Sequence, residues 1–300
     1  MYSMKLSIKI QKGMAMMQAA PKKDKANSSH QTFILNSDNY YSQEANKNFM
    51  SPTWCKKFME CEAEALAELR GEWAPDEDKT ALLVGNDLHS YFESSEAHER
   101  FLDANKEVML SSRGKTKGQL KSEYKQADIM IDSLKNDKTF TQLYQGEKES
   151  IVTGIISGVK WMGKLDCLNL DRGYFIDLKT TQELSKRFWD SRTRQWVPFV
   201  LKYDYQLQMA VYRELVKQQY GIECEPYIVA VTKQSPPDKA VITIPHEYME
   251  DALQRIDEQL PHFEDVIAGV QAPVPCGSCA YCREHKQLEN IISVDDLLDS

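Results

Sequence analysis

The sequence has no run of about 18 consecutive apolar residues, the length that a membrane-spanning helix requires. Its start also has no apolar segment of the kind that a secretory signal contains. Seven cysteines in 300 residues are too few for a fold held together by disulfides. These absences predict a protein of a reducing cytoplasm that does not associate with membranes.

Positive charge is also scarce, since 37 lysines and arginines stand against 45 acidic residues and give a net charge of −8. A protein coated in nucleic acid needs an excess of cationic side chains to neutralise phosphates. The composition weighs against such a coat but leaves room for a local basic groove. A hydrophobic share of 42% is ordinary for a globular protein.

The chain is predicted to divide into an extension without fixed structure (1–31), one folded domain (32–286) and an acidic tail (287–300). Apolar periodicity within the domain indicates helices first and then strands with helices between them, which is typical of a mixed α/β (α+β) fold with a central sheet. A polar loop is expected over 111–125. The predicted helices cover 51–70, 80–93, 126–134, 181–191, 203–220 and 246–270, and the predicted strands cover 149–156, 159–170, 173–180, 226–232 and 240–244.

The most informative segment is the predicted hairpin over 163–180, which has a tight Asp-Arg-Gly turn. Asp166 lies on its first strand. Asp177 and Lys179 lie two apart on the second strand, so their side chains share one face. Two carboxylates can hold a magnesium ion, and an amine beside them can hold or deprotonate water or offset charge at a phosphate. The alternative is an exposed ion pair on an edge strand.

Two predicted helices add polar side chains on either side of this hairpin. His89 and Glu93 are four residues apart on the first, and Gln208 and Tyr212 are four apart on the second, so each pair shares a helix face. Taken alone, the first pair suits a structural histidine and the second a half-buried face. Glu149 is a further acidic candidate of second rank, whose simpler role is a solvent-facing strand charge.

Together these residues resemble the PD-(D/E)XK nuclease superfamily. The branch they resemble contains phage and prophage exonucleases related to lambda-type exonuclease and exonuclease VIII, and nuclease domains of bacterial recombination helicases. The pattern of that branch is Gly-x-x-x-His-x-x-x-Glu, Gly-x-x-Asp, Asp-x-Lys and Gln-x-x-x-Tyr, in that order. The matching positions are Gly85, His89, Glu93, Gly163, Asp166, Asp177, Lys179, Gln208 and Tyr212.

The resemblance implies a restriction-endonuclease-like core with a mixed sheet flanked by helices. It implies Mg²⁺, or Mn²⁺, bound by His89, Asp166 and Asp177, with Lys179 as the catalytic amine. Gln208 and Tyr212 would face the DNA or the site, and Glu93 would support the first helix. The six motif positions other than the histidine and the two glycines are thus expected in the catalytic machinery, namely Glu93, Asp166, Asp177, Lys179, Gln208 and Tyr212.

The function implied by the resemblance is a metal-dependent exonuclease that resects double-stranded DNA ends in the 5′ to 3′ direction during phage-type recombination. Relatives work with a single-strand annealing protein and form rings, so a recombinase partner and a homo-oligomer are expected. The location would be the host cytoplasm of a bacterium if the chain is phage-encoded. The alternatives are a non-catalytic DNA- or protein-binding module with a structural metal site, and a structure-specific endonuclease.

Three cysteines, each separated from the next by two residues (Cys276, Cys279 and Cys282), predict a metal-binding segment within 273–286. The residues alone leave the fourth ligand open between His285 and a distant cysteine, and the cofactor open between zinc and a [4Fe–4S] cluster. The resemblance implies Cys61 as the fourth ligand, with Cys55 as its rival, and an iron–sulfur cluster that ties the chain ends together. Cys167 and Cys224 are interpreted as structural.

A basic track for an anionic strand is expected from cationic residues outside these motifs. Trp189 and Trp196 lie among them and could stack on bases or wedge a duplex end. The alternative is that the cations are solvated and the tryptophans are core residues. The cationic residues are the lysines between Lys115 and Lys125, together with Lys186, Arg187, Arg192 and Arg194.

Overall fold

Helices make up most of the described residues before residue 145, and the central strands follow. The computed structural model describes residues 33–76, 78–288, 291, 293 and 294. The predicted extension over 1–31 lies outside the described residues, as does most of the predicted acidic tail. The helices are Gln43–Asn48 (α1), Pro52–Glu60 (α2), Glu62–Arg70 (α3), Thr80–Glu93 (α4), Ser95–Met109 (α5), Ser122–Lys135 (α6), Lys138–Leu143 (α7), Phe199–Lys202 (α8), Tyr205–Tyr220 (α9), His246–Ile267 (α10) and Ala280–Glu284 (α11).

The strands are Glu147–Ile156 (β1), Val159–Asn169 (β2), Tyr174–Thr181 (β3), Arg187–Asp190 (β4), Gln195–Pro198 (β5), Glu225–Thr232 (β6) and Lys239–Thr243 (β7). Five of them form a mixed sheet in the order β1-β2-β3-β6-β7. β3 and β6 are parallel, and the other neighbours in this sheet are antiparallel. The connection from β3 to β6 contains a separate two-stranded hairpin and two helices, α8 and α9.

Both faces of the sheet are buried, because successive residues of the central strands point to opposite faces and apolar side chains lie on both. Phe175 and Ile228 pack into a core with α2, α3, α9 and α10. Ile176, Leu178 and Val229 pack into a second core with α4, α6 and α7. A sheet covered on both faces by helices confirms the predicted mixed fold. Within the described residues, no helix is both long and apolar enough to cross a bilayer.

Two of the predicted helices are wrong in part or in full. The helix expected over 51–70 is interrupted at Cys61, whose backbone is extended, and α3 restarts with the next residue. The helix expected over 181–191 is absent, and β4 occupies residues from Arg187 onward. Asp190 stabilises the turn that follows, since its carboxylate accepts hydrogen bonds from the Arg192 N–H and the Thr193 hydroxyl. Such local side-chain bonds compete with helix formation.

Other differences concern the helices around the polar loop. α5 and α7 were not predicted as separate helices, and α6 begins at Ser122 rather than near residue 126. The predicted loop contains a short 3₁₀ helix, Gly114–Thr116, and an antiparallel bridge between Leu110 and Leu120. The helix over 80–93 was predicted with the bounds that the structure has.

Candidate active site

The two aspartates of the hairpin lie where β2 and β3 separate. Their paired residues run from Asn169 opposite Tyr174 to Cys167 opposite Ile176, so Asp166 and Asp177 come next in register. Instead of a further backbone pair, the Leu178 N–H donates to Asp166 Oδ2 over 2.5 Å. The aspartates are only 8% and 2% exposed. The end of the ladder thus collects two buried carboxylates at one point of the sheet.

Asp177 contacts both the Lys179 amine and the Gln208 amide, which belong to two of the predicted motifs. Its Oδ2 lies 2.5 Å from Lys179 Nζ, and its Oδ1 accepts a 2.9 Å hydrogen bond from Gln208 Nε2. Gln208 Nε2 also donates to the Tyr212 hydroxyl over 3.2 Å. Strand alternation places Asp177 and Lys179 on the same face as Phe175, which α9 covers. The structure therefore joins the Asp-x-Lys and Gln-x-x-x-Tyr motifs.

His89 brings α4 to the same point. Its Nδ1 lies 3.1 Å from Asp166 Oδ1. Burial opposes protonation of the ring, but the Asp166 carboxylate outweighs burial and raises the pKa of His89. The reciprocal attraction lowers the pKa of Asp166 despite its burial. Glu93, one turn further along α4, lies close enough for its charge to act on Glu149.

Glu149 lies within the group of candidate metal ligands, although the sequence made it only a candidate of second rank. Ligand atoms of His89, Glu149 and Asp166 all lie within 4.8 Å of one another. Glu149 lies across from Asp166, because the flanking pairs on β1 and β2 join Lys148 to Cys167 and Ser150 to Leu165. Its backbone has a φ of 52°, a left-handed conformation that costs a non-glycine residue about 1–2 kcal/mol. The β1–β2 register was the signal that would have identified it.

The electrostatics of the site favour a bound cation. Burial, and then the nearby charge of Asp166, raise the pKa of Asp177. Burial also raises the pKa of Glu149, with Asp166 adding to the effect, although Glu149 forms an ion pair with Lys164. Burial opposes protonation of Lys179, but the charge of Asp177 outweighs it and raises the pKa of this amine. Each of the three carboxylates has one cationic partner, but burial still disfavours the ionised form of Asp177 and Glu149, which a bound cation would stabilise.

Lys56 and Tyr205 line the site and were missed by the sequence analysis. Lys179 Nζ lies 4.8 Å from the centre of the Tyr205 ring, and Lys56 Nζ lies 5.4 Å from the same centre. Burial and then the charge of Lys179 lower the pKa of Lys56 to about 8. Lys56 comes from α2, far from the motifs in sequence, so its spacing gave no signal.

The motif glycine Gly163 is required by close packing against Tyr212. A Cβ at this position would lie 2.6 Å from both Cδ1 and Cε1 of the Tyr212 ring, and 3.3 Å from Val152 Cγ2. Real Cβ atoms do not approach other atoms this closely. Gly163 therefore lets the aromatic ring of α9 lie directly on β2 beside Asp166.

A second candidate metal centre lies where four cysteine side chains meet near the C-terminal end of the domain. Cys61 Sγ lies 3.6 Å from Cys282 Sγ and 3.7 Å from Cys279 Sγ, and Cys276 Sγ lies 3.9 Å from Cys282 Sγ. Cys55, the rival for the fourth position, is buried in the main core. The predicted set of Cys61, Cys276, Cys279 and Cys282 thus comes together.

His285 is not directed at this centre. Its ring stacks on Tyr281 with 4.2 Å between ring centres, and its Nδ1 lies 2.9 Å from the Tyr281 carbonyl oxygen. Backbone N–H groups face the sulfurs instead, those of Cys279 and Cys282 among them. Burial opposes ionisation of Cys276, but such N–H donors outweigh it and lower its pKa to about 6. Cys276 is thus predisposed to ionise, whereas burial raises the pKa of the Cys61 and Cys279 thiols.

The two tryptophans among the cationic residues are exposed, so the alternative that they are core residues is wrong. Trp189 and Trp196 lie opposite each other on β4 and β5. Lys186, Arg187, Arg192 and Arg194 are exposed around them. The lysines between Lys115 and Lys125 lie in the segment before α6 and at its start, and no described contact brings them to the carboxylates.

Comparison with known proteins agrees with this geometry. A crystal structure of a candidate exonuclease from Eubacterium rectale is similar, with 34% sequence identity, a TM-score of 0.80, and coverage of 88% of this chain and 98% of that chain. The structure of SSO0001 is 15% identical over 69% of this chain and 95% of its own, with a TM-score of 0.30, and supports no argument. No curated protein matches the chain significantly.

The profile of one protein family matches residues 51–285, most of the chain. That range contains α4, the β2–β3 hairpin, α9 and all four cysteines of the second centre. The predicted PD-(D/E)XK relationship is confirmed: the chain belongs to the family of PDDEXK-like domains of unknown function, DUF3799.

Proposed function

We propose that the protein is a metal-dependent nuclease that hydrolyses DNA phosphodiester bonds. The observation that carries the proposal is the convergence of His89, Glu149 and Asp166 within 4.8 Å, directly beside the Lys179–Asp177 ion pair. A hydrolytic phosphodiesterase needs metal ligands and a positive group near the developing charge. Membership of a PDDEXK-like family supports this assignment.

The residues present fit a hard divalent cation. Carboxylate oxygens and one imidazole suit Mg²⁺ or Mn²⁺ rather than a soft metal. Asp177 Oδ2 is buried with Lys179 Nζ 2.5 Å away, so a bound cation would share this oxygen with the amine. His89, Asp166 and Asp177, with Glu149, would hold the ion. When bound, the ion supplies Lewis-acid activation of water and charge stabilisation at the phosphate.

The chain's own side chains then have separable roles. Because its pKa is raised, Lys179 is protonated at neutral pH and acts as a hydrogen-bond donor and positive charge toward the phosphate and the attacking water. Asp177 fixes the position of the amine. Gln208 orients Asp177, and Tyr212 receives the second N–H of Gln208. His89 and Asp166 orient each other through their ion pair.

The finer proposal is an exonuclease that acts at double-stranded ends in the 5′ to 3′ direction during phage-type recombination. It rests on the motif resemblance and on the similarity to the candidate exonuclease from Eubacterium rectale. The same resemblance supports a homo-oligomer and a single-strand annealing recombinase as partners. Light scattering of the purified protein measures the oligomeric state, and co-purification tests the interaction with the recombinase.

The central test substitutes Asp177→Asn, which keeps the side-chain size. We expect hydrolysis of end-labelled linear duplex DNA with Mg²⁺ to fall at least about 100-fold, the scale for loss of one transition-state contact. Asp171→Asn makes the same chemical change in an exposed turn and should leave the rate unchanged. Equally slow release of nucleotides by wild type and the Asp177 variant would favour a non-catalytic binding module.

Substrate form separates an exonuclease from a structure-specific endonuclease. We expect a closed circular duplex to stay intact while the linear form of the same DNA is consumed. Linear duplex with nuclease-resistant linkages at both 5′ ends, or at both 3′ ends, gives the polarity. Protection by the 5′ block alone supports the proposed direction, and cutting of the circle contradicts the exonuclease assignment.

A further inference from the structure

The hairpin formed by β4 and β5, Arg187–Pro198, presents two large aromatic side chains to solvent. Trp189 is 48% exposed and Trp196 is 67% exposed. They are cross-strand partners, and their rings meet edge to face with 5.8 Å between centres. Two adjacent indoles in water are unfavourable for a surface without a partner.

This exposure is set by strand register. The neighbouring pair, Phe188 and Val197, points to the opposite side, where Val197 is buried and Phe188 packs against the main core. Lys202 Nζ donates a 3.1 Å hydrogen bond to the Trp189 carbonyl, which fastens the hairpin to α8. One face of the hairpin is therefore anchored, and the tryptophans occupy the other face.

Aromatic contacts connect the anchored face to the catalytic amine. The Phe188 ring centre lies 5.6 Å from that of Tyr203, which lies 5.9 Å from that of Tyr205. Lys179 Nζ lies 4.8 Å from the Tyr205 ring centre. Three successive contacts thus separate the hairpin from the site, so a strand held in the site can reach the indoles within a few nucleotides.

The charge around the indoles suits a polynucleotide. From Lys186 to Trp196 the chain contains four cationic side chains and a single carboxylate, although the whole chain has a net charge of −8. The carboxylate, on Asp190, is engaged in the turn. Arg187 shares the tryptophan face by strand alternation. Stacked aromatics beside cations are how proteins bind single-stranded nucleic acid without reading its sequence.

We propose that the β4–β5 hairpin is a stacking platform for unpaired bases of the DNA strand that occupies the active site. Trp189 and Trp196 stack on the bases, and the neighbouring arginines contact the phosphates. This inference rests on the proposed nuclease function, because it assigns the substrate a single-stranded segment beside the cleavage site. The hairpin contributes to strand binding and not to the chemical step.

Binding of a labelled thymidine strand to the full-length protein, in buffer without added divalent cations and without a chelator, tests the proposal. A metal-dependent nuclease then leaves the strand intact, and a metal held by the four cysteines stays bound. A strand of about 20 nucleotides exceeds the usual site size of a stacking surface. We expect the Trp189→Leu/Trp196→Leu variant to bind about 10-fold or more weakly, and the double Phe variant to bind within about 3-fold of wild type. Leucine keeps the apolar surface and removes the stacking.

Binding of a strand that has the same backbone but lacks bases tests the proposal on the wild-type protein alone. Wild type should bind it about as weakly as the double Leu variant binds thymidine. Equal wild-type affinity for the two strands overturns the proposal, as does unchanged thymidine affinity in the double Leu variant. A change of oligomeric mass in the Leu variant with unchanged DNA affinity would assign the surface to a second copy of the chain instead.

Kinetics separate this proposal from the nuclease assignment. With linear duplex, the double Leu variant should show a raised KM and a kcat within about 3-fold of wild type, because stacking acts on binding. If wild type cleaves no DNA but still binds it through the indoles, the nuclease assignment fails and the platform stands. If wild type cleaves DNA and the Leu variant has unchanged KM and affinity, only the platform fails.

Discussion

At the scale of single residues, Gly163 and Gly85 are each the first residue of a nuclease motif but differ in surroundings. A Cβ on Gly163 would overlap the Tyr212 ring, whereas a Cβ on Gly85 would meet nothing nearer than Thr180 Oγ1 at 4.0 Å. We expect Gly163→Ala to destabilise the fold by about 1–3 kcal/mol and to lower activity, because the displaced ring carries Gln208 with it. Urea denaturation and rates on linear duplex measure both effects.

Gly85→Ala is the matched control for that variant. It lies inside α4, where alanine is favoured over glycine by about 1 kcal/mol. We therefore expect equal or slightly higher stability, with activity retained. Similar losses in both variants would mean that the motif glycines serve a common purpose that close packing does not describe.

Lys56 illustrates a conflict between stability and function at one residue. Burial and the charge of Lys179 hold its pKa near 8, so at pH 7 the folded protein carries an ammonium group that the surroundings disfavour. A bound phosphate would relieve this penalty. We expect Lys56→Met to raise the free energy of unfolding at pH 7 by roughly 2 kcal/mol and to weaken DNA binding.

The pH dependence of that difference is a separate check on Lys56. Between pH 8 and the ordinary lysine pKa of 10.5, the unfolded chain holds the proton that the folded chain has lost, so the wild-type penalty fades as pH rises. The stability advantage of Lys56→Met should be full at pH 7 and smaller at pH 10. An advantage that is constant with pH would assign it to packing.

At the scale of elements, the sequence predicted those whose signal is local. The turn and alternation of β2 and β3 placed Asp166, Asp177 and Lys179 correctly, and α4 was predicted with its bounds. The pairing of β1 with β2 is not local, so Glu149 was ranked too low. The same limit concealed Lys56, which reaches the site only because α2 packs beside α9.

The break between α2 and α3 shows an element shaped by a distant partner. Continuous apolar periodicity predicted one helix. Cys61 instead has an extended backbone, and its thiol contacts the thiol of Cys282 in the C-terminal segment. The Glu62 carboxylate adds a second tie, because it accepts the Val274 N–H and lies 3.0 Å from His262 Nε2. Helix periodicity contains no information about such a contact.

The spacing of the four thiols favours zinc over the iron–sulfur cluster that the resemblance implied. A single tetrahedral ion with metal–sulfur distances of about 2.3 Å places its ligands about 3.8 Å apart. Three of the six sulfur–sulfur separations are 3.6–3.9 Å, and all six are within 4.8 Å, which agrees with that geometry. We expect one zinc per chain and a colourless protein. Four irons per chain and a reducible absorption band near 400 nm would contradict zinc.

Cysteine variants test which helix supplies the fourth ligand. Cys61→Ala should lose the metal and several degrees of melting temperature, since the tie between α3 and the C-terminal segment is broken. Cys55→Ala is the matched control: it should cost about 1 kcal/mol as a small core cavity and keep the metal. Metal retention in the Cys61 variant would remove this residue from the ligand set.

At the scale of the whole molecule, the candidate site depends on contributions from distant parts of the chain. α2, α4, β1, β2, β3 and α9 each provide at least one of its side chains. The sheet fixes the carboxylates, and the helices on its two faces deliver His89 from one side and Gln208 from the other. A site assembled in this way is expected to form only when the entire domain is folded.

Removal of residues 1–31 tests the extent of that domain. Every described site residue and the family match lie after this segment, and the unit that begins at Leu35 contains both candidate metal centres. We expect the shortened chain to keep the melting temperature, the metal content and the rate on linear duplex. A chain ending before Cys276 is the contrasting variant and should lose metal and stability. A lower rate after the N-terminal deletion alone would assign that segment a role in substrate binding.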